Sequence, residues 1–322
     1  LDARESTPGF KRQMIVLNAE TRSLKRASLV AKRVLGLAVS PNTIERVALE
    51  VGNELEAAEQ RQWQSILNGE VTVPSLAIVE FDGGRIRTRK PDCGPGVHLE
   101  GKGWNETKNA IFVSATSKTS EIDPQPEPPA CFLDADHVAK LVEKAKTTEN
   151  TDSNDSVRDD DEEQIEQEKP GPQNAKHKPR RLLRTVISSM KNSKEFGHQM
   201  DREAKRRRFG EANRKAFVAD GLTCNWSIHA EHFKDYVPIL DFTHAVSYLF
   251  NASLLCVGKS EQAWQTYCDW MRAAWRGDIG RVIEELQIHQ DRIGLPPEDT
   301  NEDDPREQLR RVIGYLKKNR SR

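Results

Sequence analysis

The chain has 322 residues, of which 36% are hydrophobic and 31% charged, and its formal net charge is −1. That length suffices for one or two domains with a sizeable core, while a mean hydropathy of −0.73 implies that part of the chain stays unpacked. The five cysteines, Cys93, Cys131, Cys224, Cys256 and Cys268, form no Cys-x-x-Cys pair, which argues against a disulfide framework or a cysteine zinc site. No apolar run reaches membrane-spanning length and no charged-then-apolar leader opens the chain, so a cytoplasmic, soluble protein is expected. The first residue, Leu1, suggests a non-standard start or a missing upstream piece.

Residues 22–68 read as helical. Leu24, Ala27, Ala31 and Leu35 recur at helical spacing before Gly36, and Ser40-Pro41 offers an N-cap and a first helical residue for a second helix carrying Ile44, Val47, Ala48 and Val51. Two helices joined by a short turn suit a helix-turn-helix with Arg46 facing DNA, and equally an ordinary helical hairpin. From Leu76 the period shortens: Leu76 to Asp82 reads as a strand that Gly83-Gly84 turns into Arg85 to Arg89, and Thr107 to Ser117 as a third strand. Residues 132–147 follow as a helix after Asp134. The acidic, Pro- and Gln-containing stretch 149–179 reads as a disordered insert.

A long basic helix is expected over 179–208, with Leu182, Leu183, Val186, Ile187 and Met190 as its apolar stripe and Lys205, Arg206, Arg207 and Arg208 near its end. That basic run suits phosphate contacts or a solvated face. Ala216 to Gly221 and Tyr236 to Phe242 read as further strands, His244 opens a helix through Val257, and helices continue from Ser260 almost to Arg322. Strands interleaved with helices describe an α/β fold, a mixed sheet covered by helices. Trp264, Trp270 and Trp275 read as core, and His229 and His232 invite a metal reading that no nearby Cys or carboxylate spacing completes.

Asp82 and Asp220 each end an apolar strand before a glycine. Asp-Gly is commonly just a turn, but carboxylates at adjacent strand ends also hold divalent metals for in-line phosphoryl transfer. Three blocks carry a family resemblance: Val79-Glu80-Phe81-Asp82-Gly83-Gly84 with Arg85, Arg87 and the later Gly103-Trp104-Asn105-Glu106-Thr107-Lys108; Val218-Ala219-Asp220-Gly221 with Trp226 and His232-Phe233; and Ile239-Leu240-Asp241-Phe242-Thr243-His244-Ala245 leading to Tyr248-Leu249. In that order they resemble the transposases of the Kra-type insertion-sequence family, distant relatives of the Mutator superfamily.

The resemblance implies an RNase H-like mixed sheet with flanking helices, an N-terminal helix-turn-helix-like region and a C-terminal helical insertion. The chain then divides into a DNA-binding part at 1–70, core at 71–148, the insert at 149–179, core at 180–258 and a helical insertion at 259–322. Asp82 and Asp220 match the first two members of an Asp-Asp-Glu triad, with Asp241 as a further metal ligand or helix cap and His244 as an auxiliary. Mg²⁺ or Mn²⁺ is the implied cofactor. Double-stranded DNA at element ends is the implied partner, with Arg46, Arg85, Arg87 and the run Lys205 to Arg208 as contacts, and a homo-oligomer is compatible.

The triad's Glu is expected after a segment resembling Tyr315-Leu316-Lys317-Lys318-Asn319, and Glu298, Glu302 and Glu307 lack its context. The expectation is therefore a truncated transposase that binds DNA and catalyses poorly. The alternatives are a non-catalytic DNA-binding remnant and a pseudogene product without a role.

Overall fold

The computed structural model describes residues 6–21, 23–65, 72–87, 104–149 and 179–322. The expected insert at 149–179 falls almost wholly outside the described residues. Contacts divide the chain into two compact units, Leu1–Val71 and Thr72–Arg322.

The first unit holds α1 (Pro8–Glu20), α2 (Leu24–Leu35) and α3 (Pro41–Ser65). Thr7 caps α1, and Ser23 caps α2 by accepting from the Arg26 amide at 3.2 Å. Gly36 closes α2 with φ 66°, a left-handed position that glycine takes without strain. Ser40 Oγ accepts from the Thr43 amide at 3.1 Å, so Ser40-Pro41 starts α3 as its sequence suggests. Met14, Ala27, Ala31, Val39, Ile44 and Val47 form the buried cluster that unites the three helices. The start of α1 is marked by Thr7-Pro8, a cap and first-turn proline like Ser40-Pro41, although Met14 to Leu17 are apolar in succession and show no helical period.

The second unit is α/β. A five-stranded sheet comprises β1 (Leu76–Arg87), β2 (Trp104–Thr116), β3 (Arg180–Ser189), β4 (Arg214–Ala219) and β5 (Val237–Leu240), in the order β3-β2-β1-β4-β5. β2 is antiparallel to both β1 and β3, whereas β4 runs parallel to both β1 and β5. Among the described residues, seven α-helices accompany the strands: α4 (Ala135–Glu149), α5 (Ser193–Arg206), α6 (Thr223–His232), α7 (Phe242–Val257), α8 (Glu261–Trp275), α9 (Ile279–Ile293) and α10 (Pro305–Asn319). Among the described residues, no helix is long and apolar enough to cross a membrane.

Strand alternation sorts the sheet's side chains. Ala77, Val79 and Phe81, Ala110 and Phe112, and Phe217 and Ala219 are buried on one face with Phe196 and Met200 of α5 and Trp226 and Ile228 of α6. Glu80 and Asp82, the alternate residues of β1, belong to the opposite face. A second core gathers α4 and α7 to α10 around Val246, Leu249, Tyr267, Met271, Leu286, Leu309 and Leu316. The tryptophans belong to this packing. Trp270 is buried and donates from Nε1 to Glu285 at 2.6 Å, Trp264 packs partly buried, and Trp275 donates to Gln125 O at 2.9 Å.

Two expectations are corrected. Gly83-Gly84 is not a turn: β1 continues through it to Arg87, with Gly83 opposite Lys108 and Gly84 opposite Thr107. A Cβ on Gly84 would stand 3.0 Å from Thr107 Oγ1, so glycine there permits close strand approach. Nor is 179–208 one helix. Residues 180–189 form the edge strand β3, with Thr185 and Ile187 half-buried and Arg184 and Val186 exposed, the alternation of a strand. Helix starts only after Asn192, which accepts from the Glu195 amide at 3.0 Å while its own side-chain amide donates to Glu195 at 2.8 Å.

Candidate functional site

The parallel strands bring three carboxylates to one sheet edge. Phe81 of β1 is paired with Ala219 of β4, and Ala219 with Leu240 of β5. The next residue in each strand is aspartate: Asp82, Asp220 and Asp241. The Asp241 amide still donates to Ala219 O at 2.8 Å, which carries the pairing one step beyond β5. Asp220 and Asp241 follow the carboxyl ends of β4 and β5, where open α/β sheets place their ligand sites, whereas Asp82, expected to end its strand, lies within β1 just past its parallel pairing with β4.

Each carboxylate has a different environment. Asp220 Oδ1 accepts from the Leu222 amide at 2.8 Å and from Asn225 Nδ2 at 2.6 Å. Asn225 is buried in α6, so that helix fixes the direction of Asp220. Asp241 Oδ1 caps α7, accepting from the Thr243 amide at 2.9 Å and Thr243 Oγ1 at 2.7 Å, and its Oδ2 meets His244 Nδ1 at 2.9 Å. Of the two readings of Asp241, the helix cap is the one these bonds show. Asp82 remains exposed and lies opposite Asn109 of β2, whose Oδ1 accepts from Ser188 Oγ of β3 at 2.7 Å.

The charges act on one another. Surrounding protein displaces water around Asp82 and raises its pKa, Asp220 and Asp241 raise it further, and His244 opposes them. His244 is raised chiefly by its bond to Asp241, against burial, with added attraction from Asp220 and Asp82. Glu80 is a further member that its sequence did not single out. Burial and the Asp241 charge raise its pKa while Arg184 lowers it. Its signal was available, since residues two apart on a strand share a face.

One wall of this edge is aromatic. Tyr315 of α10 stacks on Tyr248 of α7 with 3.9 Å between ring centroids, and the rings lie 18° from parallel. A Cβ on Gly221 would overlap Tyr315 Cε2 and stand 2.8 Å from Asn319 Nδ2, so Asp220 is followed by glycine because α10 leaves no space for more. Lys318 of the same helix donates to Thr223 Oγ1 at 2.8 Å.

Carboxylates are the hard oxygen donors that Mg²⁺ or Mn²⁺ takes, but among the described residues no three donors of this edge lie within 4.8 Å of one another. Both oxygens of Asp241 are engaged by Thr243 and His244, whereas the Leu222 and Asn225 bonds to Asp220 both fall on its Oδ1. Glu302 and Glu307 are not part of the site: Glu302 pairs with Arg311, and Glu307 with Arg310 and Arg311, at the start of α10.

The expected DNA contacts fare unequally. Arg207 is corrected outright. It is buried, with its guanidinium donating to Phe112 O (2.5 Å), Thr185 Oγ1 (2.9 Å), Leu183 O (3.0 Å) and Ser114 Oγ, so it ties β2 to β3 and cannot meet a phosphate. Lys205, Arg206 and Arg208 pair with Asp201, Glu203 and Glu211, and the run forms no uncompensated basic face. Arg46 lies in α3. Arg85 and Arg87 lie in β1 opposite Glu106 and Trp104, and their side chains fall outside the described residues. His229 Nε2 meets Tyr236 O at 2.9 Å. Compared with known protein families and with curated proteins, the chain matches none.

Proposed function

We propose that this chain carries the core of a metal-dependent enzyme that cuts and joins DNA, of the insertion-sequence transposase kind, with an RNase H-like sheet and an N-terminal helix-turn-helix-like unit. One observation carries the reading: Asp82 and Asp220 follow paired residues on neighbouring parallel strands, in a sheet whose first three strands are antiparallel. Asp82 and Asp220 would hold Mg²⁺ or Mn²⁺, which when bound supplies charge neutralisation for in-line phosphoryl transfer. The chain's own contribution is positioning. Asn225 aims Asp220, and Asp241 holds the His244 ring beside the carboxylates.

A second reading, DNA binding without efficient cleavage, is favoured by the engagement of Asp241 with Thr243 and His244. That engagement leaves Asp241 poorly suited to replace the triad's Glu, and each 1.36 kcal/mol or so of lost transition-state stabilisation slows a reaction about tenfold. The test uses end-labelled duplexes spanning the DNA on either side of the gene, with Mg²⁺ or Mn²⁺. Metal-dependent nicking that disappears in Asp82→Asn and Asp220→Asn supports the enzyme. Binding without nicking supports the second reading. Absence of both sinks the transposase reading.

A further inference from the structure

We propose that His198, Glu231 and His232 form a transition-metal site of the zinc type, which clips α5 to α6. His198 projects from α5, while Glu231 and His232 lie in the last turn of α6. One donor atom from each residue lies within 4.8 Å of the other two. Among the described residues no other group of three or more such donors converges to this degree, the carboxylates at the sheet edge included.

The second observation is independent of that clustering. His232 Nε2 is buried without a hydrogen-bond partner, on a side chain only 9% exposed. Its nearest carboxylate oxygen, Glu231 Oε1, is 3.8 Å away, too far for a hydrogen bond but suited to two ligands facing one ion. An orphaned buried imidazole nitrogen is costly, and a bound cation satisfies it directly. The surroundings leave room for the ring. A Cβ on Gly197 would stand 3.0 Å from His232 Cδ2 and 3.1 Å from Nε2, and the His198 ring sits edge-on at 5.0 Å between centroids.

Two imidazoles and one carboxylate select a borderline metal such as Zn²⁺ over Mg²⁺, which takes oxygen donors. α5 and α6 cover the sheet face opposite to Glu80 and Asp82, so this site is separate from the carboxylate edge. The two are still connected in one respect. α6 also carries Asn225, which orients Asp220, so fixing α6 to α5 steadies that helix.

The test titrates Zn²⁺ into the full chain after chelator stripping, with Mg²⁺ in excess to occupy oxygen-donor sites, and follows bound metal and melting temperature. One Zn²⁺ per chain and a raised melting temperature are expected. Co²⁺ in its place should give visible absorption bands of a low-coordinate nitrogen–oxygen site. His198→Gln and Glu231→Gln change exposed side chains, so their folds should survive; each should weaken Zn²⁺ binding about tenfold or more and remove the Co²⁺ bands. Failure of the chain to bind Zn²⁺ overturns the proposal. So does equal affinity in the double variant, since the metal would then lie on scattered thiols or elsewhere.

Discussion

His244 Nδ1 lies 2.9 Å from Asp241 Oδ2, so an imidazole stands one helical turn from a carboxylate that already caps the same helix. The pair makes stability depend on pH at both ends. His244 is raised by its bond to Asp241, so its contribution is fully present below the unfolded histidine value of about 6.5 and is lost as pH rises through its folded pKa. Burial alone would raise Asp241, but bonds from His244 and Thr243 outweigh it and hold the pKa down. That contribution is present above about 3.9 and is lost as pH falls through the folded value. Urea midpoints of His244→Gln and the parent should therefore differ most near pH 5 to 6 and converge towards about pH 9. A difference that stays constant with pH would show that His244 acts through packing alone.

Asp82 behaves in the opposite sense. Crowding by protein, then Asp220 and Asp241, raise its pKa, so the folded state prefers it neutral. Asp82→Asn should raise the melting temperature in chelator at neutral pH, with the gain fading as pH falls through the raised folded pKa and gone below about 3.9. The same variant should lose most of the stabilisation that Mg²⁺ gives the parent. A lower melting temperature in chelator would mean that Asp82 holds structure.

Gly221 separates Asp220 from the α10 helix. Gly221→Ala places a methyl group on Tyr315 Cε2, and the stacked Tyr248 blocks simple retreat of that ring. The expected loss is about 1–3 kcal/mol by chemical denaturation, the usual cost of overpacking. Tyr315→Ala should reduce that loss when the two changes are combined, a coupling that a double-mutant cycle reads.

Arg207 is the costliest of the four neighbouring basic residues. Arg207→Ala leaves the Phe112 and Leu183 carbonyls and Thr185 without their shared donor, and about 2–5 kcal/mol should be lost. Lys205→Ala should cost at most about 0.5 kcal/mol, because its pair with Asp201 is largely solvated. Equal effects at the two positions would refute the structural role given to Arg207.

The carboxylate edge was legible in part: Asp82 and Asp220 each close a short apolar run before a glycine, a pattern written within a few consecutive residues, whereas Asp241 is singled out through the family resemblance. What was illegible depends on distant partners. Leu182, Leu183, Val186 and Ile187 suit a helical stripe as well as a strand, and only pairing of Arg180–Ser189 with Lys108–Thr116 decides for the strand. Gly83-Gly84 looks like a turn until Thr107 and Lys108 are set opposite it. Arg207 is indistinguishable from Arg206 and Arg208 by type, and its burial follows from where β2 and β3 meet. The cluster of His198 with Glu231 and His232 was hidden for the same reason, since its members come from two helices with β4 between them.

The parallel pairing of β1 with β4 also sets when the carboxylate edge can exist. β2, α4, β3 and α5 all intervene in the chain before β4 is made. β1 and β2 meet as sequence neighbours, but β1 must wait for β4 across a long closed loop, whose entropy is offset only when the strand docks. Asp82 and Asp220 therefore become neighbours late in folding. A nascent chain that has emerged only through β3 would hold Asp82 without Asp220, so the shared carboxylate edge forms only once β4 is made and docked. Pulse-labelled hydrogen exchange should find the β1–β2 amides protected before those of β4 and β5.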